Sequence, residues 1–160
     1  MEYVLKTDNF TLTLNPQVFL RDLAYPSNTL MAVTVSSDDF SGKASMDIDA
    51  KQLGRFARDL LGLYETLNGE AKIQETYGDM FLAFSGDGRG HIRVKGFLQS
   101  YYGDNVQELH FGIRFDQTWL RCFSAELFEA FGKYADHALE IAGKPEESIE
   151  TLKKVIEFIG

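Results

Sequence analysis

From Phe10 to Asp116 apolar residues keep returning at every second position, and one long stretch inside that span switches to steps of three and four. A pleated strand turns successive side chains to opposite faces, whereas a helix brings every third or fourth residue to one side. The two periods therefore predict a mostly β chain with one helix set into its middle.

Phe10, Leu12 and Leu14 alternate with Thr11 and Thr13, the pattern of a half-buried strand. Leu30 to Val35 is a nearly continuous apolar run closed by Ser36-Ser37-Asp38-Asp39, and it reads as a strand buried on both faces. Ala44, Met46 and Ile48 alternate with Lys43, Ser45 and Asp47, giving an antiparallel partner across a short turn that contains Gly42. Further on, Ala71 and Ile73, then Met80 to Phe84, then Ile92, Val94 and Leu98, then Leu109, Phe111, Ile113 and Phe115 predict a meander of four strands over residues 70–116. The last of these has a dry and a wet face without exception, as antiparallel strands do. Residues 99–105 read as a loop carrying Tyr101 and Tyr102.

The switch of period falls at Leu53, Phe56, Ala57, Leu60, Leu61, Tyr64 and Leu67, with Lys51, Arg55 and Arg58 on the other side. Asp49 followed by Gln52 resembles a capping box, and Asn68-Gly69 supplies a left-handed stop, so a helix is predicted over residues 50–66. Ser124 is placed to cap a second helix carrying Leu127, Phe128, Phe131, Ala135 and Ala138. Gly143-Lys144-Pro145 breaks it, and Pro145 opens a third, amphipathic to Ile159, with Glu146 and Glu147 at its positive end and Lys153 and Lys154 further along. The expected fold is α+β: one strongly curved antiparallel sheet of six to eight strands, the mid-chain helix on one face, and two C-terminal helices, all in a single domain spanning residues 1–160.

Composition narrows the function. With 44 % hydrophobic and 25 % charged residues over 160 positions, the chain has an ordinary globular mixture. No apolar run approaches the ~20 residues of a membrane span, and Met1-Glu2-Tyr3-Val4 does not read as a signal-peptide start. The formal charge of −8 comes entirely from residues 1–50 and 125–160. Such a charge suits solubility or a basic partner and argues against nucleic acid, which needs clustered Lys and Arg. One cysteine, Cys122, excludes an internal disulfide and cysteine-based metal sites; set among Trp119, Leu120 and Phe123 it reads as a core residue. A cytoplasmic protein is expected.

No catalytic residue and no cofactor emerge. Gly86-Asp87-Gly88-Arg89-Gly90 precedes a strand rather than a helix and reads as a hairpin turn, not a phosphate loop. His91, His110 and Glu108 share a polar sheet face only if two strands pair, and loop-centred pairing sets His110 opposite Val94 or Lys95, far from His91; no metal site is expected. His137, beside Asp136, reads as a surface residue. For Tyr101-Tyr102-Gly103-Asp104 two readings stay open: one ring folds back over the sheet edge, or the pair presents rigid contact area to a protein partner.

The order of elements also resembles a family. After the first strands come Leu53-x-x-Phe56-x-x-Asp59-Leu60, Leu67-x-Gly69-x-Ala71, Phe81-Leu82-x-Phe84 and Gly88-x-Gly90-His91-Ile92-x-Val94, then the alternating strand. Over residues 28–131 this is similar to the WapI-type bacterial immunity proteins, departing at Tyr64 and Tyr77, where tryptophan is expected. The resemblance implies a non-enzymatic inhibitor made beside a secreted toxin, protecting its producer by binding the toxin domain. The acidic chain would meet a basic toxin through Tyr101, Tyr102 and Asp104 together with Asp38 and Asp39. The alternative is a small-ligand-binding α+β domain, recognisable by a pocket of ~300 Å³ or more with converging polar groups.

Overall fold

The computed structural model describes residues 1–135. Four strands come first, β1 (Tyr3–Lys6), β2 (Phe10–Val18), β3 (Thr29–Ser37) and β4 (Ser41–Ile48), each antiparallel to the one before it. Helix α1 (Ala50–Thr66) follows, and β5 (Glu70–Gln74), β6 (Phe81–Gly86), β7 (His91–Tyr102) and β8 (Asn105–Asp116) build a second antiparallel sheet, again in chain order. A 3-10 turn, Gln117–Trp119, leads into α2 (Leu120–Phe131). The eight strands thus form two four-stranded sheets, not the single curved sheet expected from the sequence. Short turns let each strand pair with its chain neighbour. The 17-residue helix between β4 and β5 interrupts that series, so pairing starts afresh after it. The predicted third helix, from Pro145, and His137 lie outside the described residues.

Helix α1 occupies the predicted residues, and its buried stripe of Leu53, Phe56, Ala57, Leu60 and Leu63 follows the helical period. Its two ends differ in detail from expectation. The Asp49 carboxylate accepts from the Lys51 amide (3.1 Å), but Gln52 does not reach back to complete a capping box. Its side-chain oxygen accepts instead from the Gln74 amide (2.6 Å), tying the first turn to β5. At the other end the left-handed residue is Leu67 (φ 63°) rather than Asn68, its amide donating to the Leu63 carbonyl (2.8 Å). The Leu67 carbonyl accepts from the Gly88 amide (3.0 Å), so the β6–β7 turn closes over the helix end.

Helix α2 begins at Leu120, four residues ahead of the expected Ser124 cap. The Asp116 carboxylate accepts from the Thr118 amide (2.9 Å) and starts the preceding turn, while Ser124 is buried inside the helix, its hydroxyl donating to the Arg121 carbonyl (3.1 Å). The register that buries Leu120, Phe123, Leu127 and Phe131 leaves Phe128 and Cys122 outside the stripe. Cys122 is exposed, contrary to the core placement its apolar neighbours suggested, because it stands two residues from Leu120 and one from Phe123 on a helix with a single buried side.

Burial in β3 also corrects an expectation. Met31, Val33 and Val35 are buried while Leu30 is 38 % exposed and Ala32 and Thr34 are only half-buried. The strand has one dry face, since among the described residues no layer covers the other.

One core runs through both sheets and both helices. Phe84 of β6 lies at its centre, with ring centroids 5.8 Å from Phe56 of α1 and 6.4 Å from both Phe115 of β8 and Phe123 of α2. Such ring pairs contribute about 0.5–1.5 kcal/mol beyond the area they bury. The sheets approach each other where Phe10 of β2 meets Phe111 of β8 (5.9 Å).

Candidate functional site

Strand β6 ends at Gly86 and covers β7 only from Ile92 to Phe97, whereas the β7–β8 ladder runs on without a bulge to Tyr102–Asn105. From Leu98 to Leu109 the hairpin therefore extends as a two-stranded arm. Its turn is two residues, Gly103-Asp104, rather than the seven-residue loop expected. Gly103 has φ 59° and Asp104 keeps negative φ, which is the requirement of a hairpin turn with glycine at its first central position. Only two residues were needed to reverse the chain, so the tyrosines belong to the strand.

The tighter turn sets the register. Residues opposite one another sum to 207, so His91 faces Asp116 and His110 faces Phe97, not Val94 or Lys95. Six positions along β7 separate the two histidines, about 20 Å. His110 stacks on Phe97 at 4.4 Å between centroids, and His91 Nδ1 lies 3.3 Å from an Asp87 carboxylate oxygen. The Asp87 carboxylate also accepts from the Arg89 amide (2.7 Å) and the His91 amide (3.1 Å). These amides, Arg89 first, hold its pKa below the ordinary carboxylate value. The glycine-rich segment is thus an Asp-braced hairpin turn. Among the described residues no group of three or more His, Cys, Asp or Glu side chains is arranged to hold a metal ion.

The arm carries three exposed large apolar side chains, while others, Tyr77 and Tyr25 among them, are exposed elsewhere on the molecule. Tyr101 is 67 % and Tyr102 84 % exposed, and Val106, directly across from Tyr101, is 53 % exposed. Neither ring folds back over the sheet. A third aromatic joins them: Phe40, 69 % exposed, in the β3–β4 turn beside Asp38 and Asp39. That turn is held by the Ser37 amide donating to the Phe40 carbonyl (2.8 Å), which fixes the backbone while leaving the ring in water.

The two hairpins lie side by side. A Cβ on Gly42 would sit 2.9 Å from Leu109 Cδ2, so the glycine lets the arm rest on β4. Between them runs a groove of about 350 Å³ lined by Phe40, Ser41, Lys43, Leu98, Gln99 and Glu108. A cleft of about 480 Å³ adjoins it at Ser45, Glu75, Met80 and Tyr101, and another of about 560 Å³ at Tyr102, Asp104 and Val106. All three border Ser100 and are open to solvent, and Tyr101 and Tyr102, as successive strand residues, face opposite sides of the arm. Burial raises the pKa of Glu75 in this region.

Asp38 and Asp39 thus stand at one hairpin end and Tyr101, Tyr102 and Asp104 at the other. Phe40 escaped the sequence reading, although a large apolar residue in a turn after two aspartates is itself a signal, because nothing in the core requires it there. Glu108, Glu75 and Asp104 each line one of these clefts, Asp38 and Asp39 precede Phe40 in its turn, and Lys43 is the cation lining the groove.

The clefts exceed ~300 Å³ but all are open to solvent, and exposed aromatic residues stand at the ends of the two neighbouring hairpins. The sequence from residue 5 to 135 matches the model of the immunity protein WapI-like family, and the chain belongs to that family. No curated protein matches it. Among the described residues no helix is long and apolar enough to cross a membrane.

Proposed function

We propose that the chain neutralises a cognate toxin domain by direct association, without catalysis, using the paired hairpin ends as its contact surface. The observation that carries this reading is the exposure of Tyr101, Tyr102 and Val106 around the end of one hairpin, with Phe40 exposed in the turn of the neighbouring one, in a family member. Burying a large apolar side chain at an interface contributes about 1.5–3 kcal/mol before binding costs are met, and tyrosines lose little rotamer freedom in doing so. The carboxylates around them favour a basic toxin face. They would steer encounter, while the aromatics would slow dissociation. The toxin would meet its inhibitor in the cytoplasm of the producing cell.

The test is the affinity for the C-terminal toxin domain encoded by the adjacent gene, read by titration calorimetry. Tyr101→Ala combined with Tyr102→Ala is expected to weaken binding about 100-fold or more, with the thermal midpoint unchanged because both rings are exposed. Affinity that stays within about threefold of the parent removes the arm from the interface.

A further inference from the structure

Among the described residues no strand pairs with the outer edge of β8. In its sheet β8 pairs with β7 alone, through twelve successive one-to-one pairs, Tyr102↔Asn105 to His91↔Asp116. Long edges of this kind leave a row of unpaired amides and carbonyls, and natural sheets usually blunt them with proline, lysine, a bulge or a short strand. Strand β8 contains no proline or lysine, and its ladder with β7 has no bulge. Its inward residues Leu109, Phe111 and Ile113 are only half-buried, while Glu108, His110, Gly112 and Arg114 point outward and are exposed.

We propose that this edge pairs with the β8 of a second copy of the chain, antiparallel and two-fold symmetric, centred on Phe111. The charge pattern selects the second copy and the register. With residues summing to 222, Glu108 meets the other copy's Arg114, and by symmetry the same pair forms twice. Leu109 then meets Ile113, Phe111 meets Phe111, and His110 meets Gly112. Centring on Gly112 would set Glu108 against Asp116 and His110 against Arg114. Centring on His110 would oppose the two histidines and leave Arg114 facing Val106. Among these, only the Phe111-centred register joins apolar with apolar and acid with base over residues 108–114; beyond them Gln107 meets Phe115 and Val106 meets Asp116.

The intrachain contacts of the two charged residues are weak enough to be kept or lost without harm. Glu108 accepts from the Gln99 amide side chain (2.9 Å) at the surface, and Arg114 approaches Asp87 only to 3.9 Å. The two sheets would become one of eight strands. Pairing would stop at Val106, so both tyrosine tips would remain free at its opposite ends. The proposal does not rest on the toxin reading.

The experiment is sedimentation velocity on the full chain in 0.15 M salt, where a screening length of about 8 Å limits repulsion between two chains of charge −8. The expected mass rises with concentration from 18.1 kDa towards twice that value. Glu108→Arg alone and Arg114→Glu alone each set like charges opposite one another twice, and each is expected to weaken self-association about tenfold or more. An equimolar mixture of the two single variants restores opposite charges in the mixed pair and is expected to associate like the parent, as is the chain carrying both substitutions. Circular dichroism confirms that the variants fold. A parent chain still monomeric at about 0.3 mM overturns the proposal, including the case in which the edge is kept for a strand of another protein. So does a dimer whose affinity neither reversal changes.

Discussion

Gly54→Val is expected to lower the free energy of unfolding by about 3 kcal/mol. An added Cβ at Gly54 would lie 2.6 Å from the Ala135 amide nitrogen and 2.8 Å from the Phe131 carbonyl oxygen. Both are main-chain atoms where the end of α2 crosses α1, so no side-chain rotation can relieve the contact. The helices must move apart, loosening the packing of Leu53 and Phe56 on one side and Leu127 and Phe131 on the other. Gly62 supplies the control. It lies in the same helix, where an added Cβ would meet nothing within 4 Å, and Gly62→Ala is expected to stabilise by about 0.5–1 kcal/mol through helix propensity alone. Urea unfolding of both variants reads opposite signs if the crossing is as close as described. A Gly54 variant as stable as the parent contradicts it.

The second large effect is expected at Asn28, which is 1 % exposed and makes four side-chain hydrogen bonds. Its Nδ2 donates to the Tyr25 carbonyl (2.8 Å) and to the Asp49 carboxylate (3.1 Å). Its Oδ1 accepts from the Ala50 amide (2.8 Å) and the Thr29 hydroxyl (2.9 Å). One amide thus satisfies an orphan donor at the start of α1, holds the capping carboxylate, and pins the β2–β3 connection to both. Asn28→Ala leaves the buried Ala50 amide unpaired and removes one of the donors to Asp49, and a loss of about 3 kcal/mol is expected in the same unfolding experiment. A loss below about 1 kcal/mol contradicts this account of the network.

Neither residue announces itself in the sequence, and the reason is the same. Periodicity reports the face a side chain turns to its own element, so it found α1 to the residue and every strand but β1, whose four residues are too short a run to show alternation. It is blind to contacts between elements far apart in the chain. Gly54 reads as a weak helix former until Ala135 is seen against it, and Asn28 reads as part of a Pro26-Ser27-Asn28 loop until α1 lands on it. The division into two sheets has the same origin: alternation gives each strand its faces but not its neighbours. Cys122 shows the converse error, since apolar neighbours in sequence are not neighbours on a helix. At the candidate site, the sequence supplied the tyrosines and aspartates as residue types without core roles. The length of the arm depended on a two-residue turn, and the approach of Phe40 depended on Gly42 meeting Leu109. Both are properties of register and packing.

The central claim is that protection comes from occupying the toxin's surface, one chain for each toxin domain, and not from chemistry done upon it. Titrating a cognate toxin domain with this chain, and following the toxin's own activity, tests that claim most directly. Activity is expected to fall linearly to an end point at one chain per toxin and to return when the complex is separated under denaturing conditions and the toxin refolded alone. Loss of activity with far less than one equivalent, persisting after the chain is removed, would contradict it.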